Sequence, residues 1–211
     1  MPMNIKYFVR TTGERTLDKS FSQIEYELLV DKEHKPLQSL LNQFKITNEY
    51  DAVILEDDII LCENFKNRIE EVIEKYPSQI INFFNAPTLY QDILINDNFC
   101  FSQCRYYPKG SCTKFIEEMS KRRYVWQPCI VLSRIAKQYN ISILQYRPHL
   151  VQHIDNSSLF NPRMLGNGKR RSYYFIDYLD ELGITYEEAN NHKEELINLM
   201  KEKFKEIDSK K

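Results

Sequence analysis

The sequence predicts an α/β fold in which a mostly parallel central sheet is flanked by helices. Three observations support this: an apolar strand-like run at residues 5–10, helix-spaced apolar residues at 36–44 and 65–76, and buried-strand runs at 51–56 and 79–84. Strands and helices that alternate along a chain form parallel sheets with the helices packed on the faces. Ligands of such sheets bind beyond the carboxyl ends of the strands.

The predicted elements have recognisable signals at their ends. The first strand closes at residues 11–13, and residues 21–30 alternate with a period of two, which predicts a second strand. Pro36 suits the first position of a helix, and Pro77 stops the helix at 65–76. The other predicted elements are strands at 99–102 and 141–144, a turn at 106–111, and helices at 114–122 and 128–139.

The carboxyl-terminal part of the sequence predicts a loop followed by an amphipathic helix. Residues 161–172 hold two glycines and a basic triplet at 169–171, which is typical of a mobile loop. Thr185 and Glu188 have the spacing of a capping box. Residues 184–211 are therefore expected to pack as a helix on the flank of the domain. The apolar stripe of this helix consists of Leu196, Met200, Phe204 and Ile207.

Composition favours one domain and excludes several classes of function. With 211 residues, of which 42% are hydrophobic, the chain can bury one full core, so residues 1–211 are expected to form a single domain. The formal net charge of −1 gives no global field for nucleic acid or an anionic membrane. No apolar run is long enough to span a bilayer, and the N-terminus lacks the apolar region of a signal peptide.

The five cysteines do not have the pattern of a disulfide scaffold. Their number is odd and their spacing is scattered, which indicates reduced thiols and a cytoplasmic protein. Cys100, Cys104 and Cys112 lie close enough in sequence to suggest zinc, but the spacing is unusual and no histidine lies nearby. Small buried core residues are the favoured interpretation, with a zinc site as the alternative.

The most informative stretch is the acidic triplet Glu56-Asp57-Asp58 within the apolar run at residues 51–61. Burying adjacent carboxylates is costly unless something compensates their charge. A divalent cation is the simplest compensation, since hard oxygen ligands suit Mg²⁺ or Mn²⁺, and such a cation commonly holds a phosphate-bearing substrate. If the strand stays extended here, Glu56 and Asp58 point to one face and Asp57 to the other. A cap for the next helix is the alternative.

A second segment, PHLVQHIDNSSL at residues 148–159, lies about a hundred residues after the acidic triplet. Together the two segments resemble the nucleotide-sugar-dependent glycosyltransferases of GT-A fold, most closely the small bacteriophage and bacterial members. In that family an acidic strand end supplies a DxD-like metal site, and the later segment supplies a histidine near the donor. The resemblance covers residues 5–159 in the order of elements and implies a GT-A-like transferase that uses a UDP-sugar with Mn²⁺ or Mg²⁺.

The resemblance implies a role for each matching residue. Asp58 matches the direct metal ligand, and His153 matches the histidine that completes the metal shell or contacts the diphosphate. Glu56 matches the first acid, which faces the ribose, the sugar or the metal, and Asp57 assists either. His149 is interpreted as structural. The other donor-binding candidates are Val9, Arg10 and Thr11 beside the base, Ser157 and Ser158 after the histidine, and the loop residues Lys169, Arg170 and Arg171, for which a solvated basic loop is the alternative.

The catalytic base is the point at which the chain departs from the family pattern. An inverting transferase needs a carboxylate near the acceptor hydroxyl. Residues 124–127, where relatives often carry an acid, have none. The candidate catalytic carboxylates are Asp57 and Asp155, with Glu117 and Glu118 earlier in the chain, and the stereochemistry of transfer stays open.

Two acceptors and two rival functions remain open at the level of sequence. The acceptor hydroxyl belongs to a glycan or to a hydroxymethylated pyrimidine in phage DNA, and the second requires a basic face and an extruded base. The rivals are a metal-dependent phosphoesterase or nuclease, and a catalytically silent sugar- or nucleic-acid-binding module. The basic residues available for such a face are Lys109, Lys114, Lys121, Arg122, Arg123 and residues 169–171.

Overall fold

A mixed seven-stranded sheet forms the centre of the described structure. The computed structural model describes residues 4–32, 35–84, 94–99, 102–123, 128–154 and 171–209. Five strands run in one direction and two run against them, so the predicted α/β fold with a mostly parallel sheet is confirmed. In spatial order the strands are β2 (Glu27–Val30), β1 (Ile5–Thr11), β3 (Asp51–Glu56), β7 (Cys104–Tyr107), β5 (Ile80–Asn82), β8 (Ile143–Gln145) and β6 (Leu94–Asn96).

Helices cover both faces of this sheet because successive strand residues point to opposite sides. The described helices are the 3₁₀ helix Lys19–Gln23, α1 (Pro36–Thr47), α2 (Phe65–Lys75), α3 (Thr113–Ser120), α4 (Pro128–Tyr139), α5 (Ile176–Leu182), α6 (Tyr186–Asn191) and α7 (Lys193–Ser209). Val9 and Leu55 pack on one side with α2 and the 3₁₀ helix, whereas Phe8 and Ile54 pack on the other with α1, α3 and α4. Among the helices of the described ranges, none has the length and apolar character needed to cross a membrane.

A two-stranded antiparallel ribbon lies beyond the carboxyl end of β3. It consists of β4 (Ile59–Leu61) and β9 (Val151–His153), and its register pairs Ile59 with His153. The backbone N–H of Ile154 also donates to the carbonyl of Asp58 at 2.9 Å. The ribbon therefore fixes the segment that follows the acidic triplet against the segment that contains His153.

The carboxyl-terminal helices form a third apolar cluster. Leu196, Met200 and Phe204 of α7 are buried together with residues of α5 and α6. The predicted capping box is confirmed, because the Thr185 hydroxyl accepts from the Glu188 N–H and the Glu188 side chain accepts from the Thr185 N–H. The single helix predicted over 184–211 is observed as two helices, with a break at residue 192.

Two local predictions are wrong for identifiable reasons. Residues 21–30 begin in the 3₁₀ helix, because the Asp18 side chain accepts from the Ser20 N–H and caps it, and only Glu27–Val30 is a strand. The strand predicted at residues 99–102 lies partly outside the described residues and stays a prediction. Tyr106 lies in β7 and not in a turn, since its buried ring packs in the core and its hydroxyl donates to Asp51 at 3.1 Å.

Candidate functional site

The acidic triplet lies where β3 ends and the chain turns into β4. Glu56 is the last residue of β3, and Asp57 and Asp58 form a turn before Ile59. The extended backbone considered for the triplet is therefore not observed. Asp57 and Asp58 face the same arginine, Arg15, while Glu56 binds a different one.

Glu56 forms a bidentate ion pair with Arg10. The two residues are register partners on β1 and β3. Arg10 donates from Nη2 to Glu56 Oε1 and from Nε to Oε2, the second contact at 3.1 Å. The Ser102 hydroxyl donates to Oε1 at 2.9 Å. Both carboxylate oxygens of Glu56 are thus engaged by protein donors, and its implied role toward the donor or the metal stays a prediction.

Asp57 is buried under the loop that follows β1. The Thr11 hydroxyl donates to Asp57 Oδ2 at 2.6 Å, and Arg15 Nη1 donates to Oδ1 at 3.1 Å. Thr11 Oγ1 also accepts from the N–H of Gly13, whose φ of +82° is one that glycine adopts without strain. This tight turn directs the chain so that Arg15 lies over the acids.

Asp58 and His153 are brought together as the resemblance implied. His153 Nε2 lies 3.4 Å from Asp58 Oδ2, and the imidazole is fully buried. Arg15 Nη1 donates to the same carboxylate oxygen at 2.9 Å. The β4–β9 ribbon produces this proximity, because it pairs the residue after Asp58 with His153 itself. An imidazole nitrogen and a carboxylate oxygen at one point are suitable ligands for a divalent cation.

The described residues fit a cation only if the substrate supplies further ligands. Within these ranges no group of three or more His, Cys, Asp or Glu side chains is placed to hold a metal. Mg²⁺ typically keeps several waters and is bound by one or two carboxylates together with substrate phosphates. The pair formed by Asp58 and His153 would supply the protein ligands in such an arrangement.

Arg10 and Arg15 are the functional-site residues whose roles sequence reasoning missed. The resemblance assigns Arg10 to the donor and not to Glu56, and no sequence motif marks Arg15. Together they compensate the negative charge of the acidic triplet, a role that the sequence alone suggests for a divalent cation. The available signal was Arg15, which lies two residues after Gly13 and just beyond the carboxyl end of the strand next to β3.

Other predicted site residues lie elsewhere or outside the described residues. The Val9 side chain is buried in the core and does not reach the loop above Asp57. Arg171 is buried against α7, where it donates to Asp208 at 2.6 Å and stacks on Phe204. It anchors the carboxyl-terminal helix, in place of the predicted position on a mobile loop. The predicted site residues that lie outside the described residues are Asp155, Ser157, Ser158, Lys169 and Arg170.

The cysteines and the basic residues do not gather into a second centre in the described part of the chain. Cys104 and Cys112 are free thiols buried in different core clusters, as expected of small core residues. Lys114 pairs with Glu117 and Lys121 with Glu118 on the exposed side of α3. These ion pairs reduce the positive charge that α3 offers to a nucleic acid.

A surface cavity of about 680 Å³ lies at the opposite end of β1. Its lining includes Lys6, Tyr7, Tyr26 and Lys66. None of the residues implied by the resemblance lines it. It lies beyond the amino end of β1, whereas ligands of mostly parallel sheets bind at the carboxyl ends of the strands.

His149 gives the structure a measurable pH dependence. Burial, and secondarily the charge of Arg147, holds the pKa of His149 well below the ordinary value of 6.5. The unfolded state therefore binds a proton that the folded state does not, and stability is lost as the pH falls below 6.5. We expect the free energy of unfolding, measured by urea titration, to fall by up to about 1.4 kcal/mol per pH unit toward pH 5.

The variant His149→Asn should lose that slope, whereas His192→Asn should keep it because His192 is exposed. An unfolding free energy that is flat between about pH 5 and 6.5 in the unmodified protein would contradict the assignment. So would equal slopes in the unmodified protein and in His149→Asn.

Comparisons with known proteins do not identify a family. No family model matches the chain, and no curated protein matches it. A solved structure described as "Crystal Structure of A197 from STIV" is similar over 71% of this chain and 84% of that chain, with 13% identity and a TM-score of 0.44. A likeness of this size carries no argument about function.

Proposed function

We propose that this chain is a GT-A-fold glycosyltransferase that moves a sugar from a UDP-sugar to a hydroxyl acceptor with the help of Mn²⁺ or Mg²⁺. The observation that carries the proposal is the 3.4 Å approach of His153 to Asp58 at the carboxyl end of β3. These two residues come from the two motifs that resemble the family. They also lie at the sheet edge where substrates of such folds bind.

The metal role falls on Asp58 and His153. A cation there would supply Lewis-acid stabilisation of the charge that grows on the leaving nucleoside diphosphate. Asp58 Oδ2 and His153 Nε2 would hold it from the protein side. Arg15 Nη1 donates to the same Asp58 Oδ2 at 2.9 Å, so it would have to release this oxygen to a cation.

Arg15 is the described cation best placed to contact the diphosphate. Its guanidinium reaches both Asp57 and Asp58, so a small shift carries it from these carboxylates to phosphate oxygens. Thr11 keeps Asp57 in position beneath it. In the transfer itself the acceptor oxygen bonds to the anomeric carbon, the bond from that carbon to the phosphate oxygen breaks, and the diphosphate leaves with the electron pair. The acceptor proton passes to a base, for which Asp57 and Asp155 remain the proposed candidates.

The acceptor class is a glycan or a hydroxymethylated pyrimidine in DNA. The ion pairs of Lys114 and Lys121 with glutamates on α3 lessen the support for a DNA backbone on that helix. A nuclease or phosphoesterase with two metal ions requires further acidic or histidine ligands. The described residues do not supply them.

The proposal predicts that nucleotide and metal bind together. Because the protein supplies only two ligands, we expect Mn²⁺ alone to bind weakly and UDP to bind at least about tenfold more tightly with Mn²⁺ than with chelator. Isothermal titration calorimetry measures both. Donor binding that is indifferent to chelator would contradict the proposal.

Turnover assays separate the rival functions. A transferase should release UDP from a UDP-sugar slowly and only with Mn²⁺ or Mg²⁺, since water replaces the acceptor. A nuclease should cut DNA and leave the UDP-sugars intact. A silent module should do neither, although it still binds its ligand.

A further inference from the structure

A buried arginine with unused hydrogen-bond donors lies just beyond β8. Arg147 is only 3% exposed, and its Nε and Nη1 have no hydrogen-bond acceptor in the described part of the chain. Its guanidinium stacks on the ring of Tyr174 at 5.2 Å. Burying a guanidinium without a carboxylate partner is expensive, so such a group is normally matched by an anion.

The backbone around Arg147 is held firmly. The N–H of Tyr146 donates to the carbonyl of Asn82 at 2.9 Å, and the N–H of Leu150 donates to the carbonyl of Phe83 at 3.3 Å. His149 exchanges backbone hydrogen bonds with the segment at residues 174–176. The position of the guanidinium is therefore built into the sheet and does not depend on a free loop.

His149 lies two residues further along the chain, close enough for the charge of Arg147 to act on its imidazole. Its Nδ1 lies 2.5 Å from Ser172 Oγ, which already accepts from the Tyr174 N–H at 3.0 Å. In the tautomer in which the Ser172 hydroxyl donates to Nδ1, the proton of the neutral imidazole lies on Nε2. That Nε2 is buried and has no acceptor among the described residues.

Ser172 is itself fixed in place. Gln152 of β9 donates to the Ser172 carbonyl at 2.9 Å and accepts from the Ser172 N–H at 2.7 Å. The orientation of His149 is therefore set by a chain of buried hydrogen bonds that leads back to the ribbon carrying His153. The ring of Phe84 contacts both imidazoles, with centroids 5.6 Å from His149 and 6.4 Å from His153.

We propose that Arg147, together with His149, binds an oxyanion, a carboxylate or phosphate group. The unmatched charge and unused donors of the buried guanidinium suit such a group, and Nε2 of His149 is a further donor in the tautomer that carries its proton there. This inference does not depend on the glycosyltransferase proposal. It assigns an acidic ligand group to the protein whatever the reaction is.

The test uses inorganic phosphate and, separately, acetate as probes on the full-length protein. The Nε–H signal of Arg147 and the ring ¹⁵N signals of His149 are followed by NMR during each titration. We expect saturable shifts of both residues, and the probe that binds more tightly identifies the class of oxyanion. Signals that do not move with either probe would overturn the proposal.

Variants check that the effect belongs to this site. Phosphate or acetate should raise the thermal unfolding midpoint of the unmodified protein. The same increase is expected for two controls: Arg134→Met, which loses an exposed arginine, and Asp58→Asn. Arg147→Met should weaken the bound anion at least about tenfold and lose that increase, because charge-assisted hydrogen bonds are lost. Arg147→Lys keeps the charge but not the planar group and should bind with intermediate affinity.

Two results would overturn the site: an undiminished increase in Arg147→Met, or none in the unmodified protein. If Arg147→Met fails to fold, Arg147→Lys and the NMR titration still decide the question. Absence of UDP binding in the calorimetric experiment would reject the glycosyltransferase proposal and leave this site untouched.

Discussion

Replacing Asp58 by asparagine is expected to lower metal-dependent release of UDP from a UDP-sugar by about a thousandfold, which corresponds to ~4 kcal/mol of transition-state stabilisation. The loss follows because an amide is a poor replacement for a carboxylate ligand of Mn²⁺. The fold should persist, since the Asp58 carbonyl still accepts from the Ile154 N–H and the β4–β9 ribbon is unchanged. Steady-state kinetics and circular dichroism of the purified variant measure the two effects.

The matched control is Asp97→Asn, which makes the same chemical change at an exposed position beside β6. It should leave turnover and unfolding midpoint unchanged. His153→Ala should resemble Asp58→Asn in activity if the two residues hold one cation. Unchanged turnover in Asp58→Asn would reject the metal-site assignment, and loss of turnover together with loss of fold would show that Asp58 acts structurally.

The core of the fold could be predicted because its signals are local. The helix at 128–139 was predicted with the bounds that are observed, and the apolar runs at 5–10 and 51–56 are strands. β7 was missed because its stability comes from distant contacts. Its tyrosines are buried between β3 and β5, with strands running in the opposite direction on both sides. A sequence pattern cannot encode such a neighbour.

The candidate site was predicted only in part, because it too depends on contacts between distant parts of the chain. The proximity of Asp58 and His153 was predicted from the resemblance of two motifs to a known family. The β4–β9 ribbon that produces this proximity was not predicted. Arg10 and Arg15 reach the acidic triplet from another part of the chain, so no local pattern reveals them. The basic triplet at 169–171 was misleading at Arg171, whose guanidinium pairs with Asp208 of α7.

The two arginines change the argument for a metal. A buried acidic triplet needs compensation, and Arg10 and Arg15 provide it without a cation. The charge of the triplet alone therefore no longer requires a metal. What favours one is the buried imidazole of His153, which lies at the oxygen that Asp58 shares with Arg15.

The pair formed by Arg10 and Glu56 is expected to be the strongest stabilising ion pair near the site. Arg10→Met should lower the free energy of unfolding by about 2–3 kcal/mol, because it leaves a carboxylate in a largely buried position. This loss of stability is smaller than the loss expected for a fully buried ion pair, since the side chains of Arg10 and Glu56 are 24% and 16% exposed. Adding Glu56→Leu to Arg10→Met should recover part of the loss.

A double-mutant cycle in urea measures the coupling between Arg10 and Glu56, for which we expect about 1–2 kcal/mol. The matched control is the exposed pair Lys114 and Glu117, whose coupling should stay below about 0.5 kcal/mol. A coupling equally small for Arg10 and Glu56 would contradict the structural interpretation.

Glu56→Gln separates the structural role of Glu56 from the implied metal role. Glutamine keeps one acceptor oxygen for Ser102 and Arg10 Nη2 but sets an NH2 donor against Arg10 Nε and loses the charge, so a structural carboxylate predicts reduced stability with kcat nearly unchanged. A carboxylate that binds the metal predicts the reverse: a large loss of kcat and a donor affinity that no longer responds to Mn²⁺. Because both oxygens of Glu56 are held by Arg10, with Ser102 on one of them, the structure favours the first outcome. The metal role would then rest on Asp58 and His153 alone.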